Sequence, residues 1–156
     1  AGQLRSADDP ESRADLWASR KGAIGALGTL APNYYLVDGV VPRTRLQEVM
    51  RRVGDIGNEL GLTIANVFHA GDGNLHPCIL FDERRLGDVQ RVVEAGARIL
   101  QAGVAAGGAL SGEHGIGLAK KEFLPKFAGA AQMRVMRELR KSLDPKGILN
   151  PGKMFD

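Results

Sequence analysis

The strongest constraint on the fold is a β-hairpin signal in the middle of the chain. Two runs with strand-type composition, Leu62 to His69 and Asn74 to Phe81, flank the dipeptide Asp72-Gly73. Asp-Gly is typical of the two central residues of a type I′ turn, in which both residues adopt positive φ. The sequence therefore predicts a two-residue turn that places His69 and His76 directly opposite each other.

The segments around this hairpin alternate between strand and helix patterns. Further strands are predicted at Tyr34 to Val41 and Ala109 to Ser111, and helices at Glu11 to Leu27, Thr44 to Leu60, Leu86 to Ala105 and Ala130 to Leu143. From Tyr34 onward the order is β-α-β-β-α-β, followed by a C-terminal helix. This order is typical of a ferredoxin-like antiparallel sheet with helices on one face, so the predicted fold class is α+β.

The composition is that of one folded domain. At 156 residues, with 44% hydrophobic and 25% charged residues, the chain lies within the usual domain length of about 100 to 200 residues. The formal net charge is only +3, and basic and acidic residues alternate along the chain, as in Glu83-Arg84-Arg85. Because such interspersed charge is typical of solvated helix faces, we expect no nucleic-acid partner.

The sequence also supports an expectation about location. No segment approaches the roughly 18 consecutive apolar residues that a membrane-spanning helix needs, so we expect no transmembrane segment. The opening residues AGQLRSADDP lack the apolar run of a signal peptide. The expected location is therefore cytoplasmic.

The cysteine content restricts any metal chemistry. Cys78 is the single cysteine of the chain, whereas thiolate zinc sites, iron–sulfur centres and intrachain disulfides all need more than one. A metal site in this chain therefore has to use histidine and carboxylate ligands.

The histidines are confined to two glycine-dense segments. All three lie in HAGDGNLH (69–76) and SGEHGIG (111–117). Neither segment fits a nucleotide-binding loop, since a strand follows the first where pyrophosphate binding needs a helix N-terminus. Opposed hairpin residues have Cβ atoms about 4.5 to 5.5 Å apart, so His69 and His76 can share one divalent ion. The alternative is a surface hairpin whose histidines only stack on each other.

The second segment offers the groups that such an ion lacks. Glu113 is the natural third ligand, and a His₂Glu set leaves an open coordination position of the kind found in catalytic sites. His114 then remains free as a general base, because a neighbouring cation lowers its pKa. The alternative is an exposed polar loop, which the glycines on either side make less favourable because they permit close backbone approach.

Five segments together carry a family resemblance that covers nearly the whole chain. They are LWASRKGA, YYLVDGVVPRTRL, NVFHAGDGNLHPCILFD, SGEHGIGLAKK and DPKGILNPGKMF. In this order they resemble the C-terminal domain of FAD-linked oxidases that act on D-2-hydroxy acids, a family with the flavin-bearing subunit of glycolate oxidase and D-lactate dehydrogenases. The combination of the two histidine segments is the specific part of this resemblance.

The resemblance implies roles for the clustered side chains. His69, His76 and Glu113 would bind a divalent metal, zinc or manganese, and His114 would be the catalytic base. The implied reaction is the oxidation of a small D-2-hydroxy acid, in which His114 takes the hydroxyl proton and FAD accepts the hydride.

Two further residues receive roles from the resemblance alone. Arg20 would hold the substrate carboxylate, and Asn150 would lie near the flavin ring. Nothing else in the sequence distinguishes Arg20 from Arg13, so a surface arginine stays an alternative. Relatives that act on D-2-hydroxyglutarate carry an Asn at the position of Cys78, which favours glycolate or lactate over a dicarboxylate here.

The resemblance also implies a functional unit larger than this chain. The family's flavin-binding half precedes the segment seen here, so we expect residues 1–156 to be a single C-terminal substrate and metal domain, inactive as an isolated fragment. The implied partners are an N-terminal flavin domain and further oxidase subunits or an electron acceptor, which also offer a route to membrane association. The alternatives are a non-catalytic, metal-stabilised module that docks on the flavin domain, and a small basic binding module.

Overall fold

The sheet of the protein is organised around its longest strand. The computed structural model describes residues 5–155. Within them, the strands are β1 (Asn33–Leu36), β2 (Gly39–Val40), β3 (Thr63–His69) and β4 (Asn74–Phe81). The other three strands all pair with β4 in antiparallel orientation. Because β3 pairs with β4 along nearly its whole length, β1 and β2 share the opposite edge of β4.

β1 and β2 are two parts of one interrupted strand. Leu36 pairs with Cys78 and Gly39 pairs with Leu75, so the register continues unchanged from one part to the other. Between them, the backbone N–H of Val37 donates to the carbonyl of Pro77 at 3.0 Å. The predicted strand over 34–41 is therefore present with a short break in its regular pairing.

The last predicted strand, over 109–111, is much shorter than expected. It is reduced to a single antiparallel bridge between Val40 and Ala109. The glycine-rich sequence around it explains the difference, since glycine weakens extended structure and supplies no side chain to pack. The predicted α+β class and the element order up to the second core helix are confirmed.

The helices lie close to their predicted positions. They are α1 (Pro10–Ala26), α2 (Leu46–Leu60), α3 (Asp88–Ala105), α4 (Leu124–Phe127) and α5 (Ala130–Leu143), with single 3₁₀ turns at Leu27–Thr29 and Arg43–Arg45. The second turn delays the start of α2 relative to the prediction. None of the helices in the described residues is both long and apolar enough to cross a membrane.

The main core lies between α2, α3 and one face of the sheet. Side chains repeat at three- and four-residue spacing on both helices, which directs one apolar stripe of each toward the strands. The core includes Val53 and Ile56 from α2, Val92 and Ile99 from α3, and Ile79 from β4. Since successive strand residues point to opposite faces, the even-numbered residues of β4 lie on the other side of the sheet.

The hairpin turn differs from the predicted one. His69 pairs with Asn74, so residues 70–73 form the loop, and Val67 is the partner of His76. A type I′ turn needs positive φ at both central residues, and among the described residues Gly73 has φ +74° whereas Asp72 is not in that region. Backbone N–H groups of Asp72 and Gly73 both donate to the carbonyl of His69, which closes a longer turn. The predicted direct opposition of His69 and His76 is therefore wrong.

Candidate metal and active site

His69 and His76 are neighbours despite the changed turn. The true register moves the partner of His76 by two residues, from His69 to Val67. Because the side-chain period of a strand is also two, this shift leaves both imidazoles on the same face as diagonal neighbours. Their ring centroids lie 5.4 Å apart with nearly perpendicular planes.

The segment after the Ala109 bridge brings a carboxylate to this pair. Glu113 Oε1 lies 3.0 Å from His76 Nε2. One ligand atom each from His69, His76 and Glu113 can be chosen so that all three lie within 4.8 Å of one another. The His76 side chain is 7% exposed and that of Glu113 is 53% exposed, so the cluster sits at the boundary between core and solvent. Two imidazoles and one carboxylate are a donor set that zinc accepts in sites with an open position, so these residues fit a divalent ion.

His114 lies beside this cluster. Its ring stacks on that of His76 with centroids 5.2 Å apart and an interplanar angle of 18°. Its Nε2 is 3.7 Å from Glu113 Oε1, and its side chain is 43% exposed. The residue is thus adjacent to the three potential ligands and accessible to a small molecule from solvent.

A buried carboxylate organises the loop that carries Glu113 and His114. The Asp38 side chain, 1% exposed, accepts hydrogen bonds from the backbone N–H groups of Gly112, Glu113 and His114 at 3.1 to 3.2 Å. The hydroxyl of Ser111 donates to Asp38 Oδ2 at 2.6 Å. Three consecutive amides that converge on one carboxylate form an anion-binding nest, here closed by the protein's own side chain.

Lys120 neutralises this carboxylate. Its ammonium donates to Asp38 Oδ2 at 2.8 Å and to the Asp38 carbonyl at 2.7 Å. Burial by itself raises the pKa of Asp38, but the hydrogen bonds from Lys120, Ser111 and the His114 amide outweigh it and hold that pKa well below its usual range. Asp38 is therefore ionised and paired.

The pairing bears on where a cation can bind. Asp38, His76 and His114 form a second group whose ligand atoms lie within 4.8 Å of one another. A metal ion at this group would compete with Lys120 for a carboxylate that is already neutralised. The group of His69, His76 and Glu113 is the better candidate, because no lysine or arginine forms an ion pair with Glu113 within the described part of the chain.

Gly112 allows the loop to approach the sheet this closely. A Cβ at this position would lie 2.3 Å from Asn74 Oδ1 and 2.8 Å from Asn74 Nδ2. Any side chain would therefore push the loop away from β4, and with it Glu113. This close approach is the role that the sequence predicted for the glycines of the segment.

Two polar atoms beside the loop have no hydrogen-bond partner. Among residues 5–155, Asn74 Oδ1 and His76 Nδ1 are the buried side-chain nitrogen or oxygen atoms in this condition. Asp38 Oδ1 lies 4.0 Å from His76 Nδ1, beyond hydrogen-bond distance. Buried polar groups are usually paired, and these two atoms are exceptions that lie next to the histidine cluster.

The structure does not join the remaining predicted site residues to this cluster. Arg20 lies partly buried on α1, a helix without any buried residue, and forms no ion pair with another residue of the described range. Asn150 lies in the C-terminal loop with φ +46°, where its carbonyl accepts from Arg140 at 3.1 Å. That loop meets the end of the histidine segment, since the N–H of Met154 donates to the Gly117 carbonyl at 2.9 Å.

Sequence reasoning missed Asp38 and Lys120. A signal for Asp38 was present, because it is the one charged residue in the apolar run 34–41, and a charge inside a strand needs a partner. The partner was not identifiable, because Lys120 is far away in sequence and is followed by Lys121. Pairing the two requires knowing how the loop crosses the sheet.

Comparison with known proteins identifies the family of the chain. The model of the family "FAD linked oxidases, C-terminal domain" matches residues 1–154. The chain therefore belongs to this family of flavoprotein oxidoreductase domains.

The similar proteins are oxidases and dehydrogenases of 2-hydroxy acids by name. Glycolate oxidase subunit GlcD of Escherichia coli (strain K12) is 41% identical over 153 residues, which are 98% of this chain and 31% of that protein. The subunit of the same name from Bacillus subtilis (strain 168) is 36% identical, with 97% and 32% covered. The mitochondrial D-lactate dehydrogenase (cytochrome) of Arabidopsis thaliana is 33% identical, with 96% and 27% covered. The chain thus spans about a third of the length of these curated relatives.

Proposed function

We propose that this chain forms the substrate- and metal-binding part of an FAD-dependent enzyme that oxidises a small D-2-hydroxy acid, glycolate or D-lactate. The observation that carries the proposal is the cluster in which His69, His76 and Glu113 present ligand atoms within 4.8 Å of one another, with His114 stacked beside them. The names of the similar proteins support the choice of substrates.

His69, His76 and Glu113 are the residues that would hold a divalent ion, zinc or manganese. Such an ion, when bound, supplies a positive charge that polarises a hydroxyl or carboxylate oxygen. The protein's own contribution is to keep one ligand, His76, rigid inside the sheet while Glu113 reaches in from a loop. Because three protein ligands leave a coordination position open, the site has room for a substrate.

His114 is the proposed catalytic base. It would take the proton of the substrate 2-hydroxyl, and FAD, when bound by the flavin domain, would supply the hydride acceptor. Its side chain is 43% exposed, so a substrate can reach the imidazole from solvent. His114 lies outside the proposed ligand set, so its removal should spare metal binding.

Arg20 and Asn150 are proposed to act where this chain meets the rest of the enzyme. Arg20 would bind the substrate carboxylate, and its freedom from ion pairs within residues 5–155 leaves its guanidinium available for a bidentate contact. Asn150 would contact the flavin ring, and the cleft of about 580 Å³ next to it offers apolar surface from Leu143, Leu149 and Met154. The flavin domain and an electron acceptor are the proposed partners.

The test is the variant His114→Ala in the full-length flavoprotein that contains this chain. We expect kcat with glycolate or D-lactate to fall by about 10²-fold or more, since general base catalysis contributes roughly 10² to 10⁴. Bound zinc and flavin should stay at the wild-type level. His69→Ala is the informative comparison, because it should lose both metal and activity.

The same pair of variants identifies the rival function. If His114→Ala keeps kcat within about twofold of wild type while His69→Ala lowers only stability, the ligands serve folding alone. The chain would then be a non-catalytic, metal-stabilised docking module for the flavin domain.

A further inference from the structure

The loop that carries Glu113 and His114 has little regular structure to hold it. Between the bridge at Ala109 and the start of α4 at Leu124, residues 110–123 form only turns and bends. A segment without regular pairing depends on local hydrogen bonds for its conformation. The position of both side chains therefore depends on what the loop backbone is bonded to.

Around Glu113 and His114, most of those bonds end on one carboxylate. The amides of Gly112, Glu113 and His114 all donate to Asp38, and Ser111 adds its hydroxyl. The same Ser111 oxygen accepts the N–H of Gly115 at 2.7 Å, which extends the anchored segment by one more residue. The loop is thus fixed on both sides of Glu113 and His114.

The strand and the charge make this anchor rigid. Asp38 lies at the break between β1 and β2, next to His76 on the neighbouring strand, so its position is set by the sheet. Lys120, 8% exposed at the side chain, compensates the charge and closes the segment from its far end. A buried carboxylate without this partner would be strongly unfavourable.

We propose that Asp38 and Lys120 are the positioning residues of the site: together they set the loop before any ion binds, so that Glu113 and His114 share one anchor. The expected effect on metal affinity rests on the proposed metal site. Preorganised ligands bind a metal more tightly because less conformational entropy is lost on binding. Residues that orient metal ligands typically contribute about 10- to 100-fold in metal affinity.

The decisive variant is the double substitution Asp38→Leu/Lys120→Met in this 156-residue chain. It removes both charges at once, so no unpaired buried charge is left, and apolar replacement of a buried pair is often tolerated by the fold. Ser111→Ala is the milder variant, which keeps the ion pair and removes only the hydroxyl. Ser142→Ala, at an exposed position of α5, is the matched control.

The first measurement is amide hydrogen exchange without metal. In the double variant, we expect the amides of Gly112, Glu113 and His114 to exchange at least about tenfold faster, because their acceptor is gone. Amides of β4 should keep their wild-type rates. Wild-type exchange at all three loop amides in a folded double variant would overturn the proposal.

The second measurement is zinc affinity by calorimetry at fixed pH. We expect the double variant to bind zinc about 10- to 100-fold more weakly, Ser111→Ala to lie in between, and Ser142→Ala to match wild type. Affinity within about twofold of wild type in a folded double variant would also overturn the proposal. If the double variant does not fold, Asp38→Asn/Lys120→Met, which keeps the size of the Asp38 side chain and removes both charges, decides by the same two criteria.

The two measurements separate this inference from the proposed function. A wild-type chain that binds no zinc contradicts the metal site. The exchange experiment uses no metal, so it still shows whether Asp38 and Lys120 hold the loop.

Discussion

Both faces of β4 are buried, but the buried side chains have different roles on the two faces. On the helix-covered face, Leu75 and Ile79 of β4 join an apolar core with α2 and α3. On the opposite face, Asn74, His76 and Cys78 follow one another along the same strand, and the chain buries polar groups next to apolar ones. One strand therefore carries the main core and the candidate site back to back.

The difference lies in what a buried side chain requires. An apolar side chain needs only close packing, so its neighbours are interchangeable in kind. A buried carboxylate such as Asp38 needs specific donors, and it obtains them from a loop and a lysine distant in sequence. The structure of the helix-covered face thus follows from the pattern of apolar residues, whereas the structure of the histidine face depends on individual hydrogen bonds.

The largest loss of stability is expected on the helix-covered face, for the variant Ile79→Ala. Ile79 is 0% exposed, so truncation removes buried apolar surface and leaves a cavity between the sheet and the helices. Such substitutions typically lower the free energy of unfolding by about 2 to 5 kcal/mol, which urea denaturation measures. Zinc affinity of the folded molecules should not change, because the side chain points away from the histidines.

The control for this prediction is Ile24→Ala. Ile24 lies on α1 and is 37% exposed, so its truncation should change stability by only about 0.5 kcal/mol. The contrast between the faces would fail if Ile79→Ala weakened zinc binding as much as it weakened folding.

A smaller change in stability is expected for a substitution on the histidine face, and only when metal is present. Zinc at about 100 times its dissociation constant should raise the free energy of unfolding of the wild-type chain by about 2.7 kcal/mol. His69→Ala should abolish most of this gain, since it removes one of three proposed ligands. His69 is exposed, so without zinc the variant should unfold at nearly the wild-type urea concentration.

Thr63→Ala is the matched control, because Thr63 is exposed at the other end of β3. It should leave the zinc-dependent gain in stability intact. Equal stabilisation by zinc in wild type and His69→Ala would exclude His69 as a ligand.

The same contrast explains which parts of the structure were predictable. The order of strands and helices follows from the periodicity of apolar residues. This order was confirmed, because packing on the helix-covered face depends mainly on that periodicity. The prediction that His69 lies close to His76 was correct although the predicted turn type was wrong. The register differs from the predicted one by two residues, so both side chains stay on the same face of the sheet.

The features that sequence reasoning did not reach depend on contacts between distant segments. The nest around Asp38 joins a strand break to a loop more than seventy positions later, and no local pattern encodes that contact. Tertiary hydrogen bonds thus replaced local preference at the site.

The smallest effect is expected where the two kinds of burial meet, at Cys78. The side chain is 0% exposed, and its thiol donates weakly to the His76 carbonyl, with Sγ 3.6 Å from the oxygen. Burial raises the pKa of this thiol, so it stays protonated and is a poor metal ligand. Cys78→Ala should therefore cost only about 1 kcal/mol of unfolding free energy and leave zinc affinity within about twofold.

Cobalt(II) absorption spectroscopy tests directly whether Cys78 is a metal ligand. A chain that binds cobalt through imidazole and carboxylate groups should show weak d–d bands without an intense sulfur-to-metal charge-transfer band, in wild type and Cys78→Ala alike. Cys78→Ser is the control for packing, because its hydroxyl has a similar size and can donate to the same His76 carbonyl. A charge-transfer band that is present in wild type and absent from both variants would show that Cys78 is a metal ligand. The metal site on β4 would then extend past His76 to Cys78, and the purely apolar part of this face would begin at Leu80.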